Sequence, residues 1–224
     1  MLRPARLSLA SRNLCIIHAS CSPWKQPLLS SPAIGEGDMH LEFAATQDLL
    51  SQVFSGVGEN VIYARLKYFQ REDFPSEAVS VGSGLRATFD IEDLWRLILA
   101  FELLDLSSPP AQAMAICRGR HWEVCKAGLR EAWRRRESGG RDTQPLLVIR
   151  PRALGSNTFK GSVELSTATS LSEVFASKAP RGRGVAIIDL SRVARRVGKV
   201  MERSRTDGDA LIRESDLWLK QAKP

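Results

Sequence analysis

The sequence lacks the long apolar run that a membrane-spanning helix requires. Crossing the hydrocarbon of a bilayer takes about 20 consecutive apolar residues. The longest candidate, residues 94–106, is interrupted by Arg96, Glu102 and Asp105. We therefore expect no membrane partner, and we expect the protein to be soluble.

Cysteine is also scarce, with four residues in a chain of 224. Cys15, Cys21, Cys117 and Cys125 show no CxxC spacing. A dense disulfide framework is therefore not indicated, and a reducing compartment is favoured. The cytoplasm is the predicted location.

Catalytic and phosphate-loop motifs are missing as well. The chain has three histidines and contains neither GxSxG, nor HExxH, nor GxxxxGK[ST]. We therefore predict no enzyme, no catalytic residue, no cofactor and no metal site. An α/β enzyme that uses Asp189, at a predicted strand end, is kept as the last alternative.

One helical repeat of potential metal ligands has two interpretations. Cys117, His121 and Cys125 recur four residues apart. Neighbours at that spacing can share a metal, and cysteine thiols can be oxidised. However, the two cysteines would lie about 12 Å apart along a helix, too far to close one tetrahedral site without a bend or a second subunit. The other interpretation is that the thiols are small apolar fillers beside Trp122.

The charge is positive overall but uneven along the chain. The formal net charge is +7 and the isoelectric point is about 9.6, which favours a polyanionic partner. Basic against acidic residues number 4 to 2 in residues 1–38, 12 to 14 in 39–140, and 16 to 9 in 141–224. Any DNA contact in the middle third therefore depends on where single cations are placed.

Residues 1–38 are expected to lie outside the folded domains. The first 35 contain no acid, four basic residues and four prolines, a composition that buries little surface. The alternatives are a disordered leader, a misassigned start with Met39 as the true beginning, and a transit peptide.

The middle third opens with two amphipathic helices. Residues 41–54 follow the helical apolar spacing, glycines within 56–58 break it, and a second helix begins at about Glu59 and ends before Pro75. Two helices joined by a short glycine turn predict a helix-turn-helix.

A hairpin and further helices follow. Residues 76–89 alternate weakly around Gly-Ser-Gly, which predicts a two-stranded wing. Asp90 is expected to cap a helix that runs to about Leu106. Ser108 is expected to cap one helix or two over residues 110–136.

Three phrases, in this order, resemble the DNA-binding domain of MerR-type transcriptional regulators: KYFQREDFP (67–75), GLRATFDIEDLWRL (84–97) and FELLDLSSPPAQAMAI (101–116). The similarity covers residues 42–118. It implies a winged helix-turn-helix that binds double-stranded DNA, regulates transcription and forms a homodimer through a long helix. A helix at 190–205 is another candidate for the dimer contact.

Cations of the second helix and the wing supply the predicted DNA contacts. Phosphate contacts give affinity, and side chains in the major groove give sequence choice. We assign base-edge contacts to Asn60 and Arg65, backbone contacts to Lys67, Tyr68 and Arg71, and a wing contact to Arg86. The alternative is that these charges form a solvated helix face, with Tyr68 as a packing residue.

After a polar link at 138–144, residues 145–224 predict a small α/β domain of unassigned role. It is expected to bind a small-molecule effector, to dimerise or to contact a protein partner. The expected strands are 145–151, 161–165 and 184–190, and the expected helices are 170–179, one capped by Ser191, and 209–221.

The predicted fold class is α+β overall, with a winged helix-turn-helix domain at 39–137 followed by this α/β domain. The predicted function is sequence-specific binding of double-stranded DNA in transcriptional regulation. Two alternatives remain: an accessory factor for the excision or packaging of a mobile element, and a protein-interaction module that does not touch DNA.

Overall fold

The computed structural model of the protein describes residues 39–75, 88–137, 143–151, 159–176, 184–204 and 208–221. Within these ranges the chain forms eight helices and two small antiparallel sheets, which confirms the mixed α+β class. None of the helices in these ranges has the length and apolar character that a membrane crossing needs.

The first sheet joins two chain segments that each lead into a helix. Its two strands, Leu41–Glu42 (β1) and Thr88–Phe89 (β2), pair antiparallel with Leu41 opposite Phe89. The prediction that the first helix begins at residue 41 was wrong, because residues 41 and 42 form strand β1. Leu41 is buried opposite Phe89, and its backbone pairs with β2. The helices that follow are Phe43–Val53 (α1) and Glu59–Arg71 (α2).

Helix α3, Ile91–Asp105, runs through the centre of the core. The predicted cap is confirmed, since the Asp90 Oδ1 atom accepts a hydrogen bond from the Asp93 backbone N–H at 2.7 Å. Leucine, isoleucine and aromatic side chains around the helix are fully buried, including Leu94, Trp95 and Phe101. A helix buried on most of its surface needs partners on several sides.

Two helices, Pro110–Ile116 (α4) and Gly119–Arg134 (α5), fill the next segment. The break falls where Gly119 takes a φ of 57°, a left-handed conformation that glycine adopts without strain. The predicted Ser108 cap was wrong. Pro109 occupies the cap position, while the Ser108 backbone N–H donates to the Leu103 carbonyl and so closes the end of α3.

The C-terminal strands are β3 Leu146–Pro151, β4 Gly161–Ser166 and β5 Ala186–Asp189, and they form a three-stranded antiparallel sheet in the order β4-β3-β5. The remaining helices are α6 Leu171–Ala176, α7 Leu190–Arg203 and α8 Gly208–Gln221. The predicted Ser191 cap was wrong, because α7 begins directly after β5 and the Asp189 Oδ1 atom accepts from the Arg192 N–H at 3.0 Å.

Helices of both predicted domains pack against one another. Helix α7 contacts α1 and α5, and α8 contacts α3 and α5. Leu147 and Ile149 of β3 belong to the same buried cluster as Leu94 of α3. Gly128 of α5 lies directly against Leu165, so the helix approaches the sheet closely there. The division of the chain at residues 138–144 stays a prediction.

Candidate nucleic-acid interface on helix α2

Helix α2 is held to the body of the protein by one apolar face. Ile62, Leu66 and Phe69 are almost fully buried. The Phe69 ring packs edge-on against Phe101 of α3, with ring centroids 5.8 Å apart, and against Phe74, at 5.1 Å. The helix is therefore fixed in position while its opposite face points outward.

Two arginines anchor the backbone where α2 ends. One Nη atom of Arg118 donates to the carbonyl oxygens of Glu72 and Asp73, at 2.8 and 2.7 Å. Arg96 of α3 donates to the Pro75 carbonyl at 3.2 Å. These bonds fix the point at which the chain leaves α2 toward residues 76–87.

The outward face of α2 carries the predicted contact residues Asn60, Lys67 and Arg71. They follow one another at intervals of seven and four residues, so they lie along one line of the helix. Asn60 and Arg71 are exposed and Lys67 is half-buried. An open groove on this side of the helix is lined by Tyr63, Ala64, Lys67, Gln70 and Arg71.

Lys67 is oriented by aromatic rings. Its Nζ atom lies 4.5 Å from the centroid of the Phe43 ring of α1 and 5.9 Å from that of Tyr63, and it donates to the Gln70 Oε1 atom at 3.1 Å. Cation–π contacts of this kind hold an ammonium in place without neutralising it. The charge of Lys67 therefore stays available for an anion.

Arg65 lies on a different face of α2 from Lys67. It is two residues from Lys67, or about 200° around the helix. Its guanidinium pairs with the Asp105 carboxylate of α3 at 3.2 Å and lies 5.7 Å from the centroid of the Phe101 ring. Sequence reasoning missed Asp105 because 40 residues separate the partners.

The other predicted contacts fall in two groups. Tyr68 is 38% exposed, and its ring tilts against Phe69 with a centroid separation of 6.1 Å, so it borders the exposed face on the side of Arg65. Arg86, with most of the predicted wing, lies outside the described residues.

A carboxylate at the start of α3, which sequence reasoning also missed, ties together the elements behind this face. Glu92 accepts hydrogen bonds from Arg96, Trp122, Lys126 and Trp218, at 2.6 to 2.8 Å. Burial alone would raise the pKa of Glu92, but these donors together lower it to about 2. The carboxylate thus joins α3 to α5 and α8 and carries a negative charge at neutral pH.

Cys117, His121 and Cys125, the residues of the metal or redox alternative, take packing positions in the structure. Within the described ranges, no three His, Cys, Asp or Glu side chains come together in a way that could hold a metal. Cys117 and Cys125 are buried free thiols; burial raises the pKa of both, that of Cys125 to about 12. His121 packs edge-on against Phe159, with centroids 5.2 Å apart. The geometry favours the packing interpretation.

Comparison with protein-family models, with curated proteins and with solved structures found no match. The similarity to MerR-type regulators therefore stays a prediction, and function has to be argued from the geometry of α2 and its surroundings.

Proposed function

We propose that this protein binds double-stranded DNA through the exposed face of α2 and acts as a transcriptional regulator of the MerR type. One observation carries the proposal. A helix anchored by Ile62, Leu66 and Phe69 presents Lys67 and Arg71 on its opposite side, and neither cation pairs with a carboxylate in the described part of the chain. Such a face is suited to phosphate.

The dimensions of α2 suit the major groove. A helix with its side chains is about 10–12 Å wide, and the groove of B-form DNA is about 12 Å wide. In this orientation Lys67 and Arg71 contact phosphates. Asn60, at the N-terminal end of α2, is one of two base-reading residues, because an asparagine amide can bond adenine with two hydrogen bonds.

Arg65 joins the DNA contact by leaving the Asp105 carboxylate for a guanine base. Its side chain is 28% exposed and that of Asp105 is 40% exposed, and an ion pair at such a surface is worth about 0–1 kcal/mol. A bidentate contact with guanine contributes about 1–3 kcal/mol of discrimination. The balance favours release of Asp105 when DNA is bound.

The small sheet supports a wing beside α2. Residues 76–87 are bounded by Pro75, which follows α2, and by Thr88, which pairs with Glu42 at the start of α1. A hairpin over these residues would therefore begin and end next to the helix pair. Arg86 is the phosphate contact assigned to it.

The proposal includes a homodimer acting in the cytoplasm, with an effector or protein partner at the C-terminal segment. A homodimer would have two copies of the cationic face and would thus contact twice as many phosphates, which raises the affinity above that of one chain. Helices α5 and α7 bury their apolar faces within the chain, at Trp133 and Val197 for example, so we assign the dimer contact to another surface.

Fluorescence anisotropy with a labelled random duplex of about 30 base pairs tests the proposal. Because each phosphate contact contributes about 0.9 to the slope of log K against log salt, we expect Lys67→Ala combined with Arg71→Ala to reduce that slope by about 2. Lys160→Ala combined with Lys220→Ala is the matched control, since both side chains are exposed and lie outside α2. Equal slopes for the two double variants, or no binding by the natural protein, would overturn the proposal.

A further inference from the structure

Helix α7 is the most strongly basic helix outside the proposed interface. Residues Leu190–Arg203 contain five cations and one acid, Glu202. Val193, Val197 and Met201 are buried against the rest of the protein. The amphipathic pattern thus places the apolar side inward and leaves the cations on the outside.

The exposed cations of α7 fall on one line. Arg192, Lys199 and Arg203 are exposed and follow at intervals of seven and four residues, with the half-buried Arg195 beside them. At about 1.5 Å per residue, the line is about 16 Å long. We call these four residues the α7 cationic surface.

No ion pair or side-chain hydrogen bond neutralises the α7 cationic surface within the described ranges, whereas other clustered arginines are paired. Arg134 and Arg135 pair with Glu131, and Arg196 of α7 itself pairs with Glu102 of α3. Like charges four residues apart on a helix cost a few tenths of a kcal/mol, and Arg195, Lys199 and Arg203 form two such pairs. An external anion would remove this repulsion.

Helix α1 lies between α7 and α2. On one side Phe43 of α1 contacts Lys67 of α2, with the Nζ atom 4.5 Å from the ring centroid. Toward the other end of α1, the Arg196 guanidinium lies 4.9 Å from the centroid of the Phe54 ring. The α7 cationic surface is therefore one helix away from the proposed interface.

We propose that the α7 cationic surface is a second phosphate-binding site, which contacts the backbone of the duplex beside the stretch held by α2. The inference rests on the proposed DNA-binding function. Phosphates along one strand follow at about 3.4 Å of duplex axis, so several of them lie within reach of a line of about 16 Å. A bilayer is the less suitable anion, because a helix that lies in a membrane surface needs an exposed apolar face, and Val193, Val197 and Met201 are buried.

The test compares two triple variants with the same change in net charge. One is Arg192→Gln, Lys199→Gln and Arg203→Gln; the control is Arg120→Gln, Lys160→Gln and Lys220→Gln, all exposed positions outside α7. Anisotropy with the random duplex between 50 and 300 mM salt should show a slope lower by about 2 to 3 for the α7 variant. The control should change the slope by less than 1. Circular dichroism and urea midpoints close to those of the natural protein confirm that both variants fold.

Binding by the Lys67→Ala and Arg71→Ala variant, measured in parallel, separates the two claims. If that variant weakens binding while the α7 variant has the natural slope, the inference is wrong and the proposed function stands. If the natural protein binds no duplex, both are wrong. A third outcome is that the natural protein binds phosphatidylserine vesicles and no duplex, and that only the α7 variant loses the vesicle binding. This result would identify a membrane as the partner and overturn the inference.

Discussion

Replacing Glu92 with glutamine should destabilise the protein more than any comparable change at its surface. The Glu92 carboxylate accepts four hydrogen bonds, two of them from the cations Arg96 and Lys126. Glutamine keeps one acceptor oxygen and turns an NH2 group toward donors. It leaves Arg96 and Lys126 without a countercharge at a site where Trp122 and Trp218 also lose an acceptor.

The magnitude follows from the pKa of Glu92, which lies at about 2 against an ordinary value of 4.5. Such a difference corresponds to about 3 kcal/mol. The side chain is 24% exposed, and water screens part of the interaction, so we expect a loss of about 2 kcal/mol at pH 7. The melting temperature of a chain of this size should fall by about 4–8 °C.

The sign of the pH dependence is fixed by the same pKa. A carboxylate whose pKa is lower in the folded state stabilises the protein above its unfolded-state value, and this contribution is lost as the pH falls. The difference in the free energy of unfolding between the natural protein and Glu92→Gln should therefore be complete above about pH 5. It should disappear as the pH falls from 4.5 to 2.

Urea unfolding followed by tryptophan fluorescence measures this gap. Glu131→Gln is the control, since Glu131 pairs with Arg134 and Arg135 near the surface and should cost less than about 1 kcal/mol. Equal stabilities of Glu92→Gln and Glu131→Gln at pH 7, or a gap that does not change from pH 6 to pH 3, would refute the reasoning.

Three further predictions concern local packing and capping. Gly128→Ala should lower stability by about 1–2 kcal/mol in urea unfolding, since the added methyl would overlap Leu165 and Leu190, whereas Gly56→Ala, which meets nothing, should be nearly neutral. With Cys15 and Cys21 replaced by serine, a thiol reagent such as DTNB should label Cys117 and Cys125 only after denaturation, because both are buried and their pKa values are raised; rapid labelling of native protein at pH 8 would contradict this. Asp90→Ala should cost about 1 kcal/mol and Asp90→Asn much less, because asparagine can still accept from the Asp93 N–H.

Several features that depend on neighbouring residues were predicted correctly, although the caps expected at Ser108 and Ser191 were not. The Asp90 cap, the bounds of α2 and the strand around Leu147 follow from spacing within a few residues. Features that depend on distant residues were missed. Asp105 neutralises Arg65, Glu92 collects donors from α5 and α8, and the strand at Leu41 exists only because β2 pairs with it.

The candidate site was predicted only in part for the same reason. By helical spacing, Lys67 and Arg71 share one face of α2 and Arg65 lies on another, and the burial of these residues and the Asp105 pair agree with this arrangement. Periodicity did not indicate that Phe43 of α1 would orient Lys67. It also gave no sign of which cations would be left unpaired, since that depends on contacts between helices far apart in the chain.

Lysine footprinting tests the central claim most directly, because it reports on Lys67 itself. The protein is treated briefly with an acetylating reagent, with and without saturating duplex, and the acetylation of Lys67 is compared with that of the exposed Lys160 by mass spectrometry. If α2 contacts DNA, duplex protects Lys67 several-fold and leaves Lys160 unchanged. Acetylation of Lys67 at the same rate while duplex is bound would show that DNA lies elsewhere.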